Sequence, residues 1–273
     1  MATLTIGTRG SKLALVQTDL TAQALKRADP TLEIKIRVIE THGDQNQNPI
    51  PLDTIGKGWF TKEIEEGLLK KEIDLAVHSL KDLAEEMPAE LTIAAYLPRE
   101  DARDVLITKQ GESLEELKQG AIIGTDSTRR SVQIKALRPD LVVQSLRGNV
   151  PTRVQKLQTE QYDAIILAAA GLKRLGMADK ITRYFEPYEM TPAPGQGILA
   201  VQTRADTSSG DLIRRINDKK AATAAELERT FSAKHGGGCK SPTGAYAWCE
   251  GSKWYLLGMT EQNGKIMRET HEI

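Results

Sequence analysis

Three junctions in this chain set arginine beside small hydroxyl residues, each just after a run patterned like a strand. GTRGS places Arg9 and Ser11 at the first, GTDSTRR places Thr125, Ser127, Arg129 and Arg130 at the second, and LRGNVPTR places Arg147 and Arg153 at the third. Arginine presents a planar fork that matches a carboxylate or phosphate. Helix N-termini add free backbone N–H groups and the positive end of the dipole. Open α/β sheets take ligands at the carboxyl ends of their strands. Together these features point to a site for a ligand carrying several negative charges. For any single arginine, a solvated surface position is the ordinary alternative; three such junctions favour the site.

Other segments carry different chemistry. AVHSLKD (76–82) ends an apolar run with Lys81 and Asp82. Asp82 can act as a general acid or stabilise a developing cation, and Lys81 can hold a carboxylate. The competing reading makes Asp82 a helix cap. GKGWF (56–60) offers Lys57 between glycines, either reaching a ligand or forming a plain turn. It lacks the full phosphate-loop pattern, so no nucleotide site is assigned. GGGC (236–239) exposes Cys239, and a thiolate there suits covalent attachment, although an isolated loop cysteine is ordinarily inert. Cys249 lies in an apolar run and reads as core, and His78 reads as packed in or near a strand. His235 and Cys239 are too few for structural zinc, so no metal is expected.

The elements that must position these groups alternate. Strands are expected at 4–7, 34–40, 73–79 and 91–96, with helices after Ser11 and over 60–71. The pattern then restarts with strands at 104–108, 121–124, 142–145 and 163–168, and helices at 127–137, 149–159 and after Ala169. Apolar strands alternating with helices imply mainly parallel sheets covered on both faces. LPRED (97–101) and TPAPGQG (191–197) read as crossings, with ILAVQT returning a strand to the first domain. A last helix (221–234) and three antiparallel strands form a small α+β region. The expected class is therefore α/β, two doubly wound domains plus a small α+β C-terminal domain. The boundaries are 1–97 with about 197–217, then 98–196, then 218–273.

Composition narrows the function classes. Lys+Arg and Asp+Glu both number 37 among 273 residues, so net charge supports neither nucleic-acid nor membrane binding. Aromatic residues make up 4%, which offers little for base stacking. The first residues lack the basic-then-apolar pattern of a secretory signal, and no run approaches the roughly 18 apolar residues of a membrane span. Two cysteines without a signal fit a reducing compartment. A cytoplasmic monomer is the expectation.

In order along the chain, GTRGSKLAL, THGD, GKGWFTKEIE, AVHSLKD, LPREDARD, GTDSTRR, LRGNVPTR, AAAGLKRLG, PAPGQG and GGGC resemble the porphobilinogen deaminase (hydroxymethylbilane synthase) family. The resemblance spans nearly the whole chain. It implies two domains like those of type II periplasmic binding proteins and a third that carries a cysteine. It implies a dipyrromethane cofactor held to Cys239 by a thioether, and the head-to-tail joining of four porphobilinogen units with loss of ammonia at each step. Water then releases the linear tetrapyrrole. Asp82 matches the catalytic carboxylate. Lys81, Thr125, Ser127, Arg129, Arg130, Arg147 and Gly171 match positions around the cofactor. Arg9, Ser11, Lys57, Arg153, Arg174 and Gln196 match positions that take porphobilinogen and the growing oligopyrrole, with Gln196 facing the same site.

Departures from the family pattern are Thr54 in place of a common second lysine, His42 in place of a common arginine, and Asp126 inside the anion-binding turn, where it is expected to point outward. Members usually continue some tens of residues further, so a short third domain is expected. A non-catalytic anion- or solute-binding protein of the same architecture is the alternative function. It would require neither Asp82 nor an exposed Cys239.

Overall fold

The computed structural model describes residues 3–41, 61–84, 86–236 and 241–273. The strands, in chain order, begin with β1 (Thr3–Thr8), β2 (Glu33–Val38), β3 (Leu75–Ser79), β4 (Leu91–Tyr96) and β5 (Asp104–Thr108). They continue with β6 (Ile122–Gly124), β7 (Val142–Gln144), β8 (Ala164–Ala168), β9 (Arg183–Tyr184) and β10 (Leu199–Arg204). The last three are β11 (Gly244–Glu250), β12 (Lys253–Gln262) and β13 (Lys265–Glu272). The helices are α1 (Lys12–Ala28), α2 (Lys62–Leu69), α3 (Thr128–Leu137), α4 (Val150–Thr159), α5 (Ala169–Arg174), α6 (Gly210–Arg214) and α7 (Lys219–Lys234). The chain divides into two compact units, Met1–Arg99 with Ile198–Thr223, and Glu100–Gly197 with Ala224–Ile273.

The first unit is built on a sheet of order β2-β1-β3-β10-β4. Successive side chains of a strand point to opposite faces, and β3 shows the consequence. Leu75 and Val77 join Leu4, Ile6, Leu25 and Val201 in one core. Ala76 joins Ile64, Leu68 and Ile73 in the other, beneath α2. A strand buried on both faces favours apolar residues in succession, as Leu75, Ala76 and Val77 show.

The second unit repeats the plan in the order β7-β6-β8-β5-β9. Leu106, Ile123, Ile134 and Ile166 pack on one face, and Val105, Ile107, Leu157, Ile165 and Leu172 on the other. The three-stranded β11-β12-β13 sheet belongs to the same unit. Arg268 of β13 donates to Gln133 Oε1 at 2.8 Å and to the Glu189 carbonyl at 2.8 Å. The buried Glu228 of α7 accepts from the Gly195 N–H and the Ala247 N–H, both at 2.7 Å. These bonds tie the last sheet, the expected small C-terminal α+β part, to the frame of the second unit.

Both sheets are mixed, a correction to the mainly parallel arrangement expected from the apolar pattern. β1 runs parallel to β2 and β3, whereas β10 runs antiparallel to β3 and β4. Likewise β6 runs parallel to β7 and β8, whereas β5 runs antiparallel to β8 and β9. The two reversed strands are the ones that follow the crossings at 97–101 and 191–197. An apolar run reports burial on both faces but not strand direction.

Candidate functional site

In the first unit the chain leaves β1 through Gly7-Thr8-Arg9-Gly10 and enters α1. Ser11 caps that helix, accepting from the Ala14 N–H at 3.3 Å, as its position before the apolar periodicity predicts. Arg9 is half-buried at the junction. At the end of β3 the chain makes one tight turn, Leu80–Asp82. Leu80 anchors it. Its side chain is buried and its N–H donates to the Ile198 carbonyl at 3.0 Å. The turn leaves Asp82 exposed and Lys81 half-buried. Asp82 is the last residue of the turn, and no helix among the described residues begins after it before β4. The capping reading of Asp82 therefore has no helix to cap.

His78 lies just behind that turn and is buried, with Nε2 3.0 Å from Gln202 Oε1. Burial pushes its pKa down to about 4, while the Gln202 hydrogen bond and the Asp82 charge oppose the shift. The imidazole is neutral at pH 7.

In the second unit Thr125 is buried at the end of β6, and its Oγ1 accepts from the Ser127 N–H at 3.2 Å. Ser127 caps α3. Arg129 and Arg130 follow in the first turn, and both turn into the protein. Arg129 Nη1 donates to Asp104 Oδ2 at 2.6 Å and to the Thr191 carbonyl at 2.6 Å. Arg130 donates through Nε and Nη2 to Asp104 Oδ1 at 3.0 and 2.8 Å, and through Nη1 to the Ile166 carbonyl at 3.1 Å. Asp104 is fully buried. Burial alone raises its pKa, but the two guanidiniums outweigh that and hold the carboxyl well below the usual range. Burial pulls the Arg129 pKa down, with Asp104 opposing.

Topology explains how an acid reaches this place. Asp104 opens β5, and because β5 runs antiparallel to β8 it pairs with Ala168 at the carboxyl end of β8. The sequence signal was there to read: a charged residue at the head of DVLIT, a strand buried along its whole length.

Gln196 reaches the same cluster. It is buried, and its Nε2 donates to the Ala102 carbonyl at 2.6 Å and to Asp104 Oδ1 at 3.0 Å, so its amide N–H groups brace the cluster. Asp126 is exposed, as expected. It accepts from Ser145 Oγ at 2.5 Å and pairs with Arg147 Nε at 3.0 Å. A neighbouring cation was available, and the carboxylate turned to it. Arg153 Nε donates to the Gly148 carbonyl at 2.7 Å beside the N-terminus of α4. Arg174 Nη2 donates to the Gly197 carbonyl at 2.7 Å. Burial lowers its pKa to about 10, with Glu100 opposing, so it stays charged at neutral pH. Gly171 is buried within α5. Lys57, His42, Thr54 and Cys239 lie outside the described residues.

The donor set suits a polycarboxylate. Two guanidiniums against one carboxylate leave the Asp104 cluster with a net positive charge. Arg129 Nε is buried without a partner among the described residues, a deficit that an added anion can relieve. No group of three His, Cys, Asp or Glu among the described residues could hold a metal ion, and no described helix is long and apolar enough to cross a membrane.

The chain is an α/β protein of two units, each with a five-stranded mixed sheet. The crystal structure of the methionine binding protein MetQ matches with a TM-score of 0.51 at 12% identity, covering 84% of this chain and 95% of that one. At that identity the likeness concerns the fold alone. Sequence comparison reaches further. Residues 4–211 match the family model described as porphobilinogen deaminase, dipyromethane cofactor binding domain. The chain is 49% identical over 268 residues to the porphobilinogen deaminase of Roseiflexus castenholzii, covering 97% of this chain and 88% of that protein. It is 44% identical over 274 residues to that of Oceanobacillus iheyensis, covering 99% and 89%. The chain belongs to the porphobilinogen deaminase family.

Proposed function

We propose that the chain is a transferase that joins four porphobilinogen molecules head to tail on a dipyrromethane primer, releases ammonia at each condensation, and frees hydroxymethylbilane by hydrolysis. The observation that carries this reading is Asp82, a carboxylate exposed on a turn anchored at the end of β3, in a chain that matches the family along nearly its full length.

Dipyrromethane, when bound, supplies the pyrrole to which the first porphobilinogen is joined. In this reading Cys239 tethers it through a thioether. Lys81, Thr125, Ser127, Arg129, Arg130 and Arg147 hold and orient its carboxylates, with Gly171 lining the same position. Arg9, Ser11, Lys57, Arg153 and Arg174 take the acetate and propionate groups of incoming and joined units. Guanidiniums suit this task because they keep their charge when partly dehydrated. The Asp104 carboxylate and the Gln196 amide fix Arg129 and Arg130 from behind, so no reorganisation is needed when an anion arrives.

Asp82 does the repeated chemistry. As ammonia leaves porphobilinogen, positive charge develops on the substrate pyrrole, and the Asp82 carboxylate stabilises it through the pyrrole N–H. In its acid form the same group first gives a proton to the leaving amine, and it is reprotonated by the proton that the condensation releases. The enzyme works as a cytoplasmic monomer in this reading.

Intact mass of the denatured protein tests the tether. An adduct of dipyrromethane size is expected, and it should vanish in Cys239→Ser. An unmodified mass together with no consumption of porphobilinogen would sink the proposal.

A further inference from the structure

His78 is a buried titratable group to which the mechanism above gives no role. Its surroundings are ordered by strand geometry. In the β3–β10 pairing, Ala200 lies opposite His78 and Gln202 lies opposite Ala76. His78 and Gln202 therefore sit diagonally on one face, the face covered by α2. Gln202 is fully buried. Its Nε2 donates to Glu65 Oε1 of α2 at 2.9 Å.

That bond decides the rest of the chain. A carboxylate only accepts hydrogen bonds, so the Gln202 amide has its nitrogen toward Glu65 and its oxygen toward His78. An amide oxygen also only accepts, so the proton lies on His78 Nε2 and the ring donates it across 3.0 Å. Nδ1 is left with its lone pair and takes no hydrogen bond from a described residue. The charged groups that act on this ring are Asp82 in the turn beyond it and Arg9 at the end of β1. Gln202 reaches it from β10, and Glu65 reaches it through Gln202. On the opposite face Gln17 of α1 donates to Ser79 Oγ at 2.9 Å, so both residues before Leu80 are clamped.

We propose that Glu65, Gln202 and His78 form a buried relay that fixes the Nε2–H tautomer of His78 behind Asp82, while burial keeps the ring uncharged. The inference rests on Asp82 being the catalytic carboxylate. An imidazolium in that position would compete with the developing substrate cation for the Asp82 charge. A neutral ring leaves that charge undivided. His78 is thus a positioning residue, and its effect lies in the charge it withholds.

Nitrogen-15 spectra of histidine-labelled holoenzyme test the tautomer without reference to turnover, the His78 signal being assigned by its loss in His78→Asn. The expected result at pH 7 is a neutral ring protonated at Nε2. An Nδ1–H ring or an imidazolium overturns the proposal. Gln202→Glu sets a carboxylate against Nε2 and should convert His78 to imidazolium at pH 7. It should lower kcat at least tenfold, add an inflection near neutrality to the pH profile of kcat, and change KM less than twofold. An imidazolium with unaltered kcat also overturns the proposal. Should Gln202→Glu not fold, Glu65→Gln and Glu65→Leu serve instead. The first keeps an acceptor for Gln202 and should retain both the tautomer and the rate, whereas the second should lose both; equal behaviour of the two refutes the relay. A failure of Asp82→Ala to reduce turnover would remove Asp82 from catalysis and leave the tautomer result standing, so the two ideas fail separately.

Discussion

The first sheet runs β2-β1-β3-β10-β4 and the second β7-β6-β8-β5-β9, so every strand of one has a counterpart in the other. β1 matches β6, and each leads through a glycine and a threonine to a serine-capped helix. β3 matches β8, and β10 matches β5 as the strand inserted antiparallel. The carboxyl ends of the two sheets are nevertheless furnished differently. Past β3 the chain leaves a single carboxylate, Asp82, exposed on a turn, with a neutral histidine behind it. At the end of β8 a carboxylate is buried instead, and two arginines close over Asp104. One plan thus gives an exposed acid, to which the catalytic role is proposed, and a buried acid that holds cations. Exposure decides which, since a buried charge must be paired and an exposed one need not be.

Four perturbations test that contrast. The largest effect is expected at Asp82. Asp82→Ala should cut turnover by about 10²- to 10⁴-fold, the range for loss of a general acid, while intact mass shows the cofactor retained; normal turnover would remove Asp82 from its assigned role. Next is Asp104→Asn, which leaves two buried guanidiniums without their counter-charge and should cost about 3–5 kcal/mol. Amide-exchange protection of β5, β6 and β8 should fall while that of β1 and β3 holds. Equal loss in both sheets would mean that Asp104 is not local to the second.

Acid should separate the units as well. The unfolded chain protonates His78 near pH 6.5, whereas the folded chain resists protonation to about pH 4. Its contribution is therefore fully present above about pH 6.5 and is lost as pH falls to about 4, on the order of 3 kcal/mol. Asp104 is depressed below its unfolded value, so its contribution persists above the ordinary carboxylate range and is lost only at lower pH. Exchange corrected for intrinsic rate should show β3 and β10 loosening by pH 4.5 with β5 and β8 still protected; the reverse order breaks the assignment.

The smallest effect concerns the two equivalent glycines. A Cβ on Gly7 would lie 2.2 Å from Ile73 Cδ1, the mobile tip of a side chain, whereas one on Gly124 would meet Tyr162, Ile165 and Leu146 at 2.9 to 3.0 Å. Gly124→Ala should cost about 1–3 kcal/mol, as overpacking does, and Gly7→Ala less. Urea unfolding midpoints compare the two, and a costlier Gly7→Ala would contradict this packing account.

Much of this was legible in the residues alone. Ser11 was readable as a cap because a hydroxyl before an apolar helical period has few other uses. The strand at 199–204 was readable as a returning strand because it follows a Pro/Gly crossing. The order of ten motifs identified the family, and through it the roles proposed for Asp82 and Cys239. What local pattern could not carry was direction and depth. The reversal of β5 and β10 depends on where a crossing delivers the chain. The burial of Arg129, Arg130 and Gln196 depends on Asp104, more than twenty residues from either arginine in sequence and brought to them only by strand pairing. The neutral state of His78 depends on its burial, and its tautomer on Gln202 and Glu65, contributed by a neighbouring strand and a helix. Spacing along the chain specifies which groups are present and which elements carry them. Long-range pairing specifies what each group faces, and that sets whether an arginine braces the frame, whether an acid stays exposed, and on which nitrogen a histidine keeps its proton.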